Sequence, residues 1–137
     1  MIEAFDTGVR QHLISDPALV ALVGEKVYQD LAPGDVAKPY VVISFMSSLD
    51  PENTPTDEVE ISYNVKAVTD DASGGLQACA RIASAVRKAL NDTKPAIQGW
   101  GVYWCKETSG FRFVEQQDGR RIWYAGGIYR IGAIESK

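Results

Sequence analysis

Apolar positions in the first fifteen residues recur at helical spacing. Ile2, Phe5, Val9 and Leu13 fall on one stripe, which predicts an amphipathic helix over residues 2–15. Asp16-Pro17 then supplies an N-cap and a first helical residue, and Gly24 a stop, so a second, short helix is expected over Pro17–Val23. From there the period changes to two. Val27–Leu31 reads as a short strand and Tyr40–Ser47 as a stronger one. The run Tyr40, Val41, Val42, Ile43 is apolar on both faces, as expected of an interior strand. Ala32-Pro33-Gly34 and Pro39 bound the loop between them. Proline fixes φ and carries no N–H, so it suits a turn or the first residue of a strand.

Leu49–Asp57, with Pro51 and Pro55, reads as a polar loop. Glu58–Val68 alternates: Val59, Ile61, Tyr63, Val65 and Ala67 point one way, Glu58, Glu60, Ser62, Asn64 and Lys66 the other. That pattern predicts a strand with one buried and one wet face. Asp70-Asp71-Ala72-Ser73 supplies caps and negative charge for a helix from Gly75 to Asn91, whose buried stripe would be Leu76, Cys79, Ala80, Ala83, Val86 and Leu90. Beyond Pro95, three strands are expected: Gly99–Glu107, Phe111–Gln117 and Arg120–Ile134. Ser109-Gly110 and Asp118-Gly119 are the turns, and Gly126-Gly127 marks a bulge or bend in the last strand. The expected architecture is α+β: a mostly antiparallel sheet with an N-terminal helix, a short second helix and one long amphipathic helix packed on one face. With 137 residues and no repeat or linker, residues 1–137 read as a single domain.

Composition narrows the chemistry. A net charge of −4 lacks the basic footprint of a general nucleic-acid grip. The start Met1-Ile2-Glu3 has no basic, then apolar, leader pattern, and no run approaches the ~20 apolar residues of a membrane span, so a cytoplasmic protein without a membrane partner is expected. The two cysteines, Cys79 and Cys105, fall on a helix and a strand and read as buried thiols, a disulfide remaining the alternative. The single histidine, His12, reads as partly packed on the first helix. One histidine and two scattered cysteines assemble no metal site and no nucleophile–base pair, so no catalytic residue, metal or cofactor is expected. Ser73-Gly74-Gly75 could hold an anion at a helix start, but Asp70 and Asp71 would repel phosphate. Glu58 and Glu60 share a strand face about 7 Å apart, a separation glycosidases use, though a solvated strand face looks the same.

Charge is unevenly spread. Asp50, Glu52, Asp57, Glu58, Glu60, Asp70 and Asp71 are balanced only by Lys66 in the middle of the chain. Arg81, Arg87, Lys88, Lys94, Lys106, Arg112, Arg120, Arg121 and Arg130 dominate the C-terminal part. Head-to-tail assembly would bring the acidic Asp50, Glu52, Asp57, Glu58 and Glu60 of one copy to Arg112, Arg120 and Arg121 in the next copy's hairpin. The C-terminal third also concentrates Trp100, Tyr103, Trp104, Phe111, Phe113, Trp123, Tyr124 and Tyr129. Most are expected in the core, and the surplus face under a partner subunit.

The ordered set of features resembles the phage tail completion, or tail terminator, proteins that join tail to head. It comprises Asp16-Pro17-Ala18-Leu19 through Leu22-Val23-Gly24 and Val27-Tyr28, then Ala32-Pro33 and Pro39-Tyr40-Val41-Val42. An alternating strand to Thr69-Asp70, a helix Leu76–Leu90, Ile97-Gln98-Gly99-Trp100 and a hairpin turning at Asp118-Gly119 complete it. The resemblance implies a structural, non-catalytic protein forming a ring, usually a hexamer, on the head-proximal end of the tail tube. Its partners would be copies of itself, the tail tube protein and a head-completion or neck protein. DNA would only transit an acidic lumen that offers phosphates no grip. It implies residence in the host cytoplasm during assembly and then in the virion tail. The competing classes are a small-molecule or peptide-binding α+β module, which would need a concave apolar pocket, and a hydrolase built on Glu58 and Glu60.

Overall fold

The computed structural model describes residues 1–49 and 57–136. The loop expected around Pro51 and Pro55 therefore lies largely outside the described residues, as do Asp50 and Glu52. In chain order, the first elements are α1 (Ile2–Ile14), α2 (Pro17–Val23), β1 (Val27–Gln29), β2 (Tyr40–Leu49) and β3 (Glu58–Asp70). A 3-10 turn (Asp71–Ser73), α3 (Gly75–Leu90), β4 (Trp100–Gln117) and β5 (Arg120–Glu135) complete the chain. The strands form one sheet in the order β1-β2-β3-β5-β4. Only the β1–β2 pair is parallel, so the fold is α+β with a mostly antiparallel sheet.

Local chemistry explains the helix boundaries. Phe5, Val9 and Leu13 are buried, whereas Ile2 at the frayed start of α1 is 36% exposed. Asp16 is extended, and its carboxylate accepts the Leu19 N–H at 3.0 Å, satisfying one of the orphan amides of α2. Asp16→Ala should cost about 1 kcal/mol, seen as a lower urea midpoint with an unchanged denaturant slope. Gly8 lets the Ala96-Ile97 segment lie against α1. A Cβ there would run into the Ile97 side chain and stand 2.8 Å from the Ala96 carbonyl oxygen.

The core lies between the helices and one face of the sheet. Ile43, Ile61, Tyr63, Val65, Tyr129 and Ile131 face it from the strands. Tyr63 is wholly buried, and its hydroxyl donates to Asp6 of α1 at 2.6 Å. Burial, then that carboxylate, pushes the phenol above its ordinary range. Cys79 and Cys105 are buried free thiols, and burial pushes the Cys105 thiol up to about 12.

Four expectations are corrected. The long helix buries Cys79, Ile82, Ala85, Val86, Ala89 and Leu90, while Ala80 is exposed and Leu76 and Ala83 are half-buried. Turning Ile82 inward removes more apolar surface than turning an alanine inward. The second face of β3 is not wet: Ser62 is buried and its neighbours are half-buried, because β3 is flanked by β2 and β5 on both sides. Ser109-Gly110 is not a turn. β4 runs unbroken for 18 residues to the Asp118-Gly119 turn, whose positive φ angles of 51° and 76° are those of a type I′ hairpin. Finally, the Gly126-Gly127 pair makes no bulge. β5 keeps register with β3 throughout, and in its ladder with β4 the extra residues are Tyr103 and Thr108 of β4. The glycines serve close approach instead. A Cβ at Gly126 would strike the Val65 carbonyl oxygen, and one at Gly127 would meet the Glu107 carboxylate.

Candidate assembly surface

The helices cover only one face of the sheet. On the other, Val42, Val68 and Ile122 form a second, small buried cluster, with Tyr40 and Tyr124 packed at its border. Phe113 stacks on Tyr124 with ring centroids 4.6 Å apart, and Tyr28 meets Tyr40 edge-on at 5.9 Å. Lys66 lies 5.0 Å over the Tyr124 ring and Lys38 5.9 Å over Tyr40, contacts of the cation–π kind. Sequence marks Lys66 only as a lone base among acidic residues and does not mark Lys38 at all. They come together through strand pairing.

Most of the C-terminal aromatics are not core. Tyr129 is buried, Trp100 and Trp123 line the core's border, and Tyr103 and Phe113 are exposed. The reason is topological. β4 is the outermost strand, and α3 packs chiefly over β3 and β5. Val114, on the helix side of β4, is consequently 46% exposed.

The hairpin arginines do not form one patch. Arg112 pairs across from Ala125, which belongs to the helix-side core, whereas Arg120 stands at the hairpin tip opposite Gln117. Arg121 is engaged: its Nε donates to Asp71 at 3.0 Å, and Trp123 Nε1 donates to the same carboxylate at 3.2 Å. Those donors hold the Asp71 carboxyl below its ordinary range. Asp70 and Asp71, counted with the acidic middle of the chain, thus sit beside the basic hairpin. Asp70 caps the 3-10 turn by accepting the Ser73 N–H at 2.9 Å, so acidic groups already occupy the Ser73-Gly74-Gly75 helix start.

At the other end of the sheet, Glu58 pairs across from Ile134 and Glu60 from Gly132. Glu60 makes an ion pair with Arg130 at 3.7 Å, which ties the would-be catalytic carboxylate to a cation. Partial burial first, then the Glu58 and Glu60 carboxylates, raises the Tyr103 phenol. The Asp57 carbonyl accepts the Glu135 N–H at 3.1 Å. His12 fastens α1 to α3: its Nε2 lies 2.6 Å from the Ala89 carbonyl oxygen and 3.3 Å from Thr93 Oγ1. Among the described residues, no group of three or more His, Cys, Asp or Glu is placed to hold a metal. No helix among them is long and apolar enough to cross a membrane.

A recess of about 550 Å³ lies between the Gly34–Pro39 loop and Arg120. Asp35, Lys38 and Asp70 share its walls, so charges of both signs line it, in place of the apolar pocket a small-molecule site requires.

No curated protein matches this sequence. Among solved structures, a chain from the "Virion of native gene transfer agent (GTA) particle" shares the fold with a TM-score of 0.77 at 22% identity, over 95% of this chain and 93% of that one. A second solved chain has a TM-score of 0.59 at 10% identity, covering 100% of this chain and 96% of the other. The sequence itself matches the family described as tail completion protein gp17 over residues 7–124. That match runs from within α1 to the first five residues of β5, and the chain belongs to the tail completion protein gp17 family.

Proposed function

We propose that this structural tail protein caps the head-proximal end of a phage-type tail tube as a ring of six copies and presents the surface on which a neck protein docks. The family match carries this reading. The likeness to a chain of a gene transfer agent virion agrees with it, as does an aromatic sheet face that its own helices leave uncovered. The acidic end of one copy (Asp50, Glu52, Asp57, Glu58, Glu60) would approach the hairpin end of the next (Arg112, Arg120, Arg121). Thirteen residues of β3 separate the two ends, about 40 Å at strand rise, so one chain cannot bring them together. Contact between unlike surfaces closes into a ring when the rotation permits. Capping follows from asymmetry: the ring matches the last tube ring on one side and offers tube subunits no matching edge on the other. DNA then passes through without being held. The protein works without catalysis or cofactor, first in the host cytoplasm and then in the virion tail.

Electron microscopy of particles made with and without a functional copy tests the proposal. Without the protein, tails should lack a defined head-proximal end and stay unjoined to filled heads. Joined particles with tails of normal length would overturn it.

A further inference from the structure

The two edges of the sheet differ. At β1, the Val27 N–H donates to the Glu25 carbonyl at 2.8 Å, the Val27 carbonyl accepts Arg10 Nε at 2.8 Å, and the Leu31 N–H donates to the Gln29 carbonyl at 2.7 Å. Those bonds leave little for another strand to pair with. The first half of β4 is covered as well. The Asp92 N–H donates to the Cys105 carbonyl at 2.8 Å, and the Glu107 N–H donates to Asn91 Oδ1 at 2.9 Å. Beyond the extra residue at Thr108, Ser109–Gln117 pairs with β5 in unbroken register. Gln117 and Arg120 close the two-residue hairpin and bond each other, so alternation turns the N–H and C=O of Gly110, Arg112, Val114 and Gln116 away from β5. Among the described residues, no loop or side chain takes up those groups. At the centre of the run Phe113 and Val114, on opposite faces, are 43% and 46% exposed.

We propose that this half of β4 pairs with the same half of a second copy, antiparallel, about a two-fold axis at Phe113. The run is self-complementary in that register. Phe113 meets its twin, Arg112 lies across from Val114, Gly110 from Gln116 and Ser109 from Gln117. Every outward N–H and C=O of one copy then finds a partner on the other. Phe113 stands where the two strands exchange no bonds and side chains come closest, so its exposed ring is covered. Sliding the register by two residues one way sets Arg112 against Arg112, and the other way carries Gly110 into the turn. Because the β1 edge is closed, pairing stops at two copies. The run is well below the roughly 20–30 residues a side of a standard interface, so the pair is weak and forms at high concentration. This contact differs from the ring contact proposed above, and Arg112 takes part in both. The pair therefore belongs to the free protein and opens when a ring forms.

Disulfide trapping of the purified protein at high concentration tests it. A cysteine placed at the axis by Phe113→Cys meets its own twin within disulfide reach. The control is Gln117→Cys on the same strand, which lies across from Ser109 and about 27 Å from its twin. Both positions are exposed, and the native thiols are buried. The two Arg112 side chains become diagonal neighbours, so the trial is run in salt, which screens them. Phe113→Cys should cross-link to itself on the order of tenfold faster than Gln117→Cys. Adding Val114→Pro removes an outward N–H and no bond to β5. It should leave the urea midpoint near that of the parent and lower cross-linking to the control rate. Equal rates for the two cysteines would overturn the proposal, whether or not the proline variant folds. Fast cross-linking that persists in a folded Val114→Pro protein would overturn it too.

Discussion

Val86→Asp should abolish the native fold. Val86 is 1% exposed on the face of α3 that packs against β3 and β5. The residues of the cluster it belongs to are apolar. Burying an unpaired charge costs several kcal/mol, against a total stability on the order of 5–15 kcal/mol for an ordinary domain. Far-ultraviolet circular dichroism during urea titration gives the readout: no cooperative transition for Val86→Asp at 25 °C. The informative partner is Ala80→Asp, six residues earlier on the same helix, where the side chain is exposed. It should melt close to wild type. A cooperatively folded Val86→Asp with a collapsed Ala80→Asp would mean that α3 is rotated from the orientation described.

Gly126→Ala is the second large effect, by overcrowding. The added methyl would meet the Val65 carbonyl oxygen and lie 2.7 Å from the Lys66 Cα. Both are backbone atoms of the central strand, so no rotamer change relieves the contact. β5 must move away from β3 along their longest unbroken ladder, at a cost of about 3 kcal/mol. Gly101→Ala is the control. Its methyl would sit 3.6 Å from the Ile134 side chain, an ordinary contact, and stability should change little. Urea midpoints for the two variants decide the matter, and equal midpoints would refute the packing argument.

Where local chemistry dictates structure, the chain can be read directly. Asp16-Pro17 to Gly24 gives α2 end to end, Asp118-Gly119 gives the hairpin turn, and the alternation from Val59 to Ala67 gives the buried face of β3. The family resemblance is legible for the same reason, since it rests on the order of such signals. Legibility ends where a neighbour decides. Ser109-Gly110 has the composition of a turn, yet β5 pairs with residues on both sides of it and draws it into β4. The face of α3 is ambiguous in sequence because Leu76, Ala80 and Ala83 form an apolar stripe as regular as the buried one, and only the placement of the sheet chooses between them. The candidate assembly residues behave likewise. Sequence spacing groups Arg112, Arg120 and Arg121, whereas strand alternation and the Asp71 contact separate them.

The two bulges in β4 bear on life before assembly. An outermost strand of 18 residues is a long template for edge-to-edge pairing, and free subunits at high concentration would tend to grow into β-aggregates along it. An extra residue at Tyr103 and another at Thr108 break the regular backbone spacing of that rim. They leave no straight run along its full length for a foreign strand to pair with. That irregularity works against fibre seeding along the longest strand among the described residues.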